Sequence, residues 1–195
     1  MTGRQALLAL LAEYADAFPG ERSMTQRIAA LAEAQADCFD RTCRPGHLTG
    51  SAWVVSADGE RHLLLHHGKL DKWLQPGGHA DGQTDLAEVA RREVEEETGL
   101  KELELIADAT GLAPIDVDVH DIPERRDPDG RVKETAHEHH DVRYLCRATG
   151  DEKLTLSDES RELRWCRPDE VRTLTQEESV LRLLRKANRR LGLTS

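Results

Sequence analysis

From residue 4 to 18 apolar side chains recur at helical spacing, with Leu7, Leu10, Leu11, Tyr14 and Phe18 on one side. The pattern predicts an amphipathic helix that Pro19-Gly20 ends. A second helix is expected from about Met24 to Phe39, with Ile28, Leu31, Ala32 and Phe39 on one face and Gln35 as a polar interruption. The two read as a helical hairpin at residues 1–47, ahead of a larger domain at 48–195. Packing is the plain role for such a hairpin; a lid or a dimer surface is the sharper one. Cys43 to Thr49, with Pro45 and Gly46, reads as a loop.

The period then changes. Ser51–Ser56 and His62–His67 read as strands around the turn Ala57-Asp58-Gly59-Glu60. Farther on, Leu103–Thr110 and Pro114–His120 read as extended. In the second, Ile115, Val117 and Val119 alternate strictly with Asp116, Asp118 and His120. Residues Pro123–Lys133 form a charged loop turning at Asp129-Gly130, where Arg125, Arg126 and Arg131 either meet phosphates or stay solvated. His137–Cys146 is expected to be a strand, with Val142, Tyr144 and Cys146 on one face and His139, Asp141 and Arg143 on the other. A further strand enters Trp165, and a helix starts at Pro168. The closing helix buries Val180, Leu183, Leu184, Ala187 and Leu191. Its basic outer face (Arg182, Arg185, Lys186, Arg189) is expected in solvent.

Between these strands lies the stretch that carries chemistry. Leu86, Val89, Ala90 and Val94 form the apolar stripe of a helix that Thr84 or Asp85 can cap and Gly99 can end. Glu93, Glu96 and Glu97 fall in or beside that stripe, while Glu88, Arg91 and Glu95 point away. An acidic helix that merely faces water would put its acids opposite the stripe. Carboxylates that converge on a core need a positive partner. A hard divalent cation with oxygen ligands, Mg²⁺ or Mn²⁺, is the natural one.

Gly78 and the run Arg92-Glu93-Val94-Glu95-Glu96-Glu97-Thr98-Gly99-Leu100 resemble the Nudix box, G-x5-E-x7-R-E-U-x-E-E-x-G-U with U a bulky aliphatic residue. One position departs: the loop glutamate of the box falls on Thr84. The resemblance spans roughly residues 48 to 190 and implies the Nudix α/β/α sandwich with a mixed sheet, here behind the helical hairpin. It implies Mg²⁺-dependent hydrolysis of a nucleoside diphosphate linked to a group X, and often a homodimer. By position, Glu93 is the general base and Arg92 orients the carboxylates. Gly78 (through its carbonyl), Glu93, Glu96 and Glu97 hold the metal, joined by Glu159 ahead of Trp165. His79, His139 and Arg143 are candidate contacts to substrate phosphates. A nucleotide-binding module without turnover is the alternative that Thr84 supports. A zinc centre on His137-Glu138-His139-His140 is a third reading, although that run lacks the helical spacing of zinc proteases.

Composition narrows the field. The net charge of -10 has the wrong sign for a broad nucleic-acid surface, and it requires metal ions or local arginines around a phosphorylated substrate. Cys38, Cys43, Cys146 and Cys166 show no CxxC pair; with no secretory leader in view they fit a reducing, cytoplasmic setting. The N-terminal apolar run is broken by Glu13 and Asp16 and is too short for a membrane span.

Overall fold

Helix α1 (Gly3–Ala17) starts on a capping box: the Thr2 hydroxyl accepts from the Gln5 N–H, and the Gln5 side chain accepts from the Thr2 N–H. The computed structural model describes residues 2–193. Leu7, Leu11 and Tyr14 are the buried positions of α1. A single 3₁₀ turn, Pro19–Glu21, leads into α2 (Arg22–Ala34), which buries Thr25, Ile28, Leu31 and Ala32. The second helix thus ends five residues short of Phe39, which packs from the turn that follows.

Among the described residues ten strands follow: β1 (Gly46–Val55), β2 (His62–His67), β3 (Lys72–Leu74), β4 (Gly77–His79), β5 (Leu103–Leu105), β6 (Pro114–Ile122), β7 (Arg125–Arg126), β8 (Val132–Glu134), β9 (His137–Ala148) and β10 (Ser160–Cys166). The remaining helices are α3 (Leu86–Thr98), α4 (Pro168–Leu174) and α5 (Glu178–Arg190). Several expectations about the strands change, and of the run 103–110 only Leu103–Leu105 is strand. The segment expected as a loop before Thr49 is already strand from Gly46, because its backbone is paired: the Leu48 N–H donates to the Cys38 carbonyl, and the Leu48 carbonyl accepts from Ala80. The charged loop 123–133 is a small hairpin of β7 and β8, with Arg125 paired to Glu134 and Arg126 to Glu124.

The chain forms two compact units. One gathers the residues up to Thr49 with His79–Leu86 and Val117–Val142; here β4 pairs with β1 and β6 with β9. The other gathers Gly50–Gly78, Ala87–Asp116 and Arg143 onward. Its strands run in the order β10-β2-β1-β9-β5, with β3 against β2. Trp53, Val55, Leu64, Ile115, Leu145 and Cys166 form its core with Val180, Leu183, Leu184 and Ala187 of α5.

The outer face of α5 is not all solvated. Asp116, fully buried, accepts from Arg182 Nη2 at 2.8 Å, Lys186 Nζ at 2.7 Å and Arg143 Nη1 at 3.2 Å. A buried carboxylate surrounded by three cations is compensated, and three helix or strand residues are fixed in place by it. Among the described residues no helix is long and apolar enough to cross a membrane.

Candidate active site

The site in the second unit is built where β1, the glycine pair and α3 meet. The Pro76 carbonyl accepts from the Ala52 N–H at 3.0 Å, which pins the approach to the glycines on β1. A Cβ on Gly77 would collide with Ser51, and one on Gly78 would land on the Glu93 carboxylate. These two positions require glycine because backbone passes hard against neighbours there.

Helix α3 supplies the acids. Leu86, Val89, Ala90 and Val94 are all buried, as the stripe predicts. Gly99, with φ of 80°, ends the helix in the left-handed conformation, and its N–H donates to Glu95. Glu97 is buried with the stripe and accepts the Gly77 N–H at 2.9 Å. Burial pushes its carboxyl up to about 8; the Gly77 N–H opposes that, and the charges of Glu93, Glu159 and Glu96 add to it. Glu93 is mostly covered and accepts from Arg92 Nη2 at 2.7 Å. Arg92 also reaches Glu96, at 3.7 Å, whose side chain is 61% exposed.

Glu159 stands in the turn before β10, and its carbonyl accepts from the Gly68 N–H at 2.8 Å. Its charge is felt at Glu97. The structure therefore brings Gly78, Arg92, Glu93, Glu96, Glu97 and Glu159 to one region of this unit. Oxygen donors, one with its pKa driven upward by burial and by its neighbours' charges, are a donor set that fits a hard divalent cation. Arg143 is different: it is buried, with its guanidinium on Asp116 and on the Ser179 carbonyl. Trp73 stacks on His66, rings 5.0 Å apart and 15° from parallel, and sits under Arg164.

In the first unit Thr84, at the position of the box's loop glutamate, packs on the start of α1: a Cβ on Gly3 would overlap its side chain. Asp81, in the left-handed region at φ of 50°, pairs with Arg41. His79 and His139 do not stand alone. Their rings lie 5.0 Å apart, and His47 is 5.0 Å from His79 and 4.8 Å from His139. His137 stacks on His47 at 4.9 Å. His47 escapes a sequence reading, while His137 and His139 belong to the run on which the zinc reading is placed, without His47 or His79. The signal for His137 is its i, i+2 spacing to His139 on one strand face; His47 carries none, being in a segment that looks like a loop.

Residues 47–186 match the family model of the NUDIX domain, well over half of the chain. The chain belongs to the Nudix family. Similar solved structures include a Nudix hydrolase of Clostridium perfringens, at 24% identity over 74% of this chain and 97% of that one, TM-score 0.57. The Ap4A hydrolase of C. elegans, in a binary complex, is 19% identical over the same shares, TM-score 0.56. The NUDIX domain of NrtR from Shewanella oneidensis, complexed with ADP ribose, is 18% identical over 82% of this chain and 97% of that one, TM-score 0.51. These likenesses are of fold, and the fold is the Nudix type, α/β with a mixed sheet. No curated protein matches the chain significantly. As a Nudix hydrolase the chain is a pyrophosphohydrolase, acting on acid anhydrides of phosphorus-containing compounds.

Proposed function

We propose that the chain hydrolyses the diphosphate linkage of a nucleoside diphosphate derivative, using Mg²⁺ or Mn²⁺ held by Glu93, Glu96, Glu97, Glu159 and the Gly78 carbonyl. The observation that carries this is Glu97: a buried carboxyl, fixed by the Gly77 N–H and driven up by three other carboxylates, at the glycine pair that crowds Glu93. Such a group gains a reason to ionise only when a cation arrives. The cation, when bound, neutralises phosphate oxygens and stabilises the leaving phosphate.

The chain's own residues supply the rest. Arg92 orients Glu93 by a charge-assisted hydrogen bond. Glu93 takes the proton from the attacking water, whose oxygen bonds to phosphorus as the bridging P–O bond breaks. The products are a nucleoside monophosphate and phosphorylated X. Glu96 and Glu97 act as ligands. Arg143 is held in the core by Asp116 and the Ser179 carbonyl. The Ap4A hydrolase and the ADP-ribose complex among the similar structures support a nucleotide as substrate. The net charge of -10 favours a small substrate over a long nucleic acid.

The test is product release, followed by ³¹P NMR, from nucleoside triphosphates, nucleotide sugars, ADP-ribose and dinucleoside polyphosphates with Mg²⁺ or Mn²⁺. The expected result is monophosphate release from one class, abolished by chelation. Metal-dependent binding of a nucleotide with no turnover across the panel would contradict it and indicate a binding module, with the Thr84 position as the departure to explain.

A further inference from the structure

The histidine cluster of the first unit has no role in the chemistry above. Five imidazoles gather there: His47 on β1, His79 after the glycine pair, His120 on β6, and His137 and His139 on β9, with neighbouring rings 4.8 to 5.4 Å apart. A buried imidazole carries a donor and an acceptor, and leaving either without a partner costs free energy. Yet among the described residues neither ring nitrogen of His47, which is 1% exposed, makes a hydrogen bond of good geometry; the Cys43 backbone has only a weak influence on it. The Nε2 atoms of His137 and His139 are likewise buried without hydrogen-bond partners. Apolar side chains would fill this space at less cost, so the imidazoles need another explanation.

We propose that His47, His79 and His139 form a site for a nitrogen-preferring divalent transition metal, Zn²⁺ foremost. One nitrogen of each ring lies within 4.8 Å of the others. Ligand nitrogens at ~2.05 Å in a tetrahedral site stand about 3.3 Å apart. Modest side-chain rotations close that gap.

The tautomer of His137 also suits the site. A carbonyl only accepts, so His137 Nδ1–H donates to the Thr135 carbonyl at 2.8 Å, which leaves a lone pair on its buried Nε2. The closest carboxylate to that nitrogen, Glu134, is 3.8 Å away. His137 is therefore the nearest further imidazole to a three-histidine face. Donor chemistry separates this site from the carboxylates of α3. Imidazole suits Zn²⁺, Ni²⁺ and Cu²⁺, whereas Mg²⁺ takes oxygen. The ion would cross-link the start of β1, the residue after the glycine pair and the start of β9, which are far apart in sequence.

The test uses the full chain stripped of metal by chelation and titrated with Zn²⁺ or Co²⁺ alone in the presence of excess Mg²⁺. The expected result is one tightly held equivalent that Mg²⁺ does not displace, with the visible absorption bands of tetrahedral Co²⁺, and a Tm raised by Zn²⁺. His139→Ala and His79→Asn should each weaken binding on the order of 100-fold, by the scale set for metal-site partners. Glu96→Gln should keep the full equivalent. Absence of a stoichiometric, Mg²⁺-resistant equivalent in the unaltered chain would overturn the proposal. So would unchanged affinity in both histidine variants, or loss of the equivalent in Glu96→Gln. His79 is half-buried and Asn keeps a polar side chain there, so His79→Asn guards against a loss that comes from misfolding. Its metal-free Tm and circular dichroism should match those of the unaltered chain.

Discussion

Glu97 carries opposing demands at a single residue. It is buried, so its charged form is disfavoured; the Gly77 N–H that it accepts opposes this, and the charges of Glu93, Glu159 and Glu96 add to it. This leaves a pH signature. An unfolded chain loses the Glu97 proton near 4.5, the folded chain near 8, so between these values the folded state holds a proton that the unfolded state has released. Stability from this group is present at the acid end and falls as pH rises through that window. The buried histidines act in the opposite sense. His47, His62 and His139 are held down to about 3, 4 and 2, so the folded state gains stability from them as pH rises toward 6.5 and no further. Between pH 6.5 and 8, Glu97 is left to dominate among these groups. Chelator-treated protein should lose Tm across that interval, and Glu97→Gln should flatten the decline. A Tm that climbs or stays level in the unaltered chain would rule out the buried, proton-holding state.

At the scale of elements, local patterning and long-range pairing divide what the sequence discloses. Helix α3 is legible because its stripe, its acids and Gly99 all lie within one stretch. Strand β2 is legible from its own run, and His62–His67 matches the expected bounds. The start of β1 is not legible, since Pro45 and Gly46 read as turn residues and the partners that make a strand of it, Cys38 and Ala80, are visible only in three dimensions. For the same reason His47 is missed, and the zinc reading of the run His137–His140 lacks His47 and His79.

The basic face of α5 misleads for a related cause. Arg182 and Lys186 sit at solvent-like positions of the helix period, yet Asp116, 66 and 70 residues away, takes both. That network makes a prediction about the element. Asp116→Asn keeps the shape but removes the buried charge that Arg143, Arg182 and Lys186 share, which should cost about 3–5 kcal/mol of stability in urea unfolding. A loss under about 1 kcal/mol would mean that Arg143 finds water and that α5 is held by its apolar face alone.

Over the whole molecule, charge sets the terms. Thirty-seven acidic residues against twenty-seven basic ones would repel a diphosphate, so the proposed hydrolysis calls for cations at the carboxylates of α3. The departure at Thr84 leaves that set in place: Thr84 packs on Gly3 of α1, while Glu93, Glu96 and Glu97 remain on the helix. The most direct measurement is the Mg²⁺ dependence of turnover in the unaltered chain beside Glu96→Gln. Glu96 is largely exposed, so replacing it leaves the core untouched and the change reports on the site alone. A metal centre held by these carboxylates predicts that kcat/KM falls by about 10² or more and that more Mg²⁺ is needed for half-maximal rate. Turnover within a factor of about two of the unaltered chain, with the same Mg²⁺ dependence, would show that the hydrolysis does not run through the carboxylates of this helix as proposed.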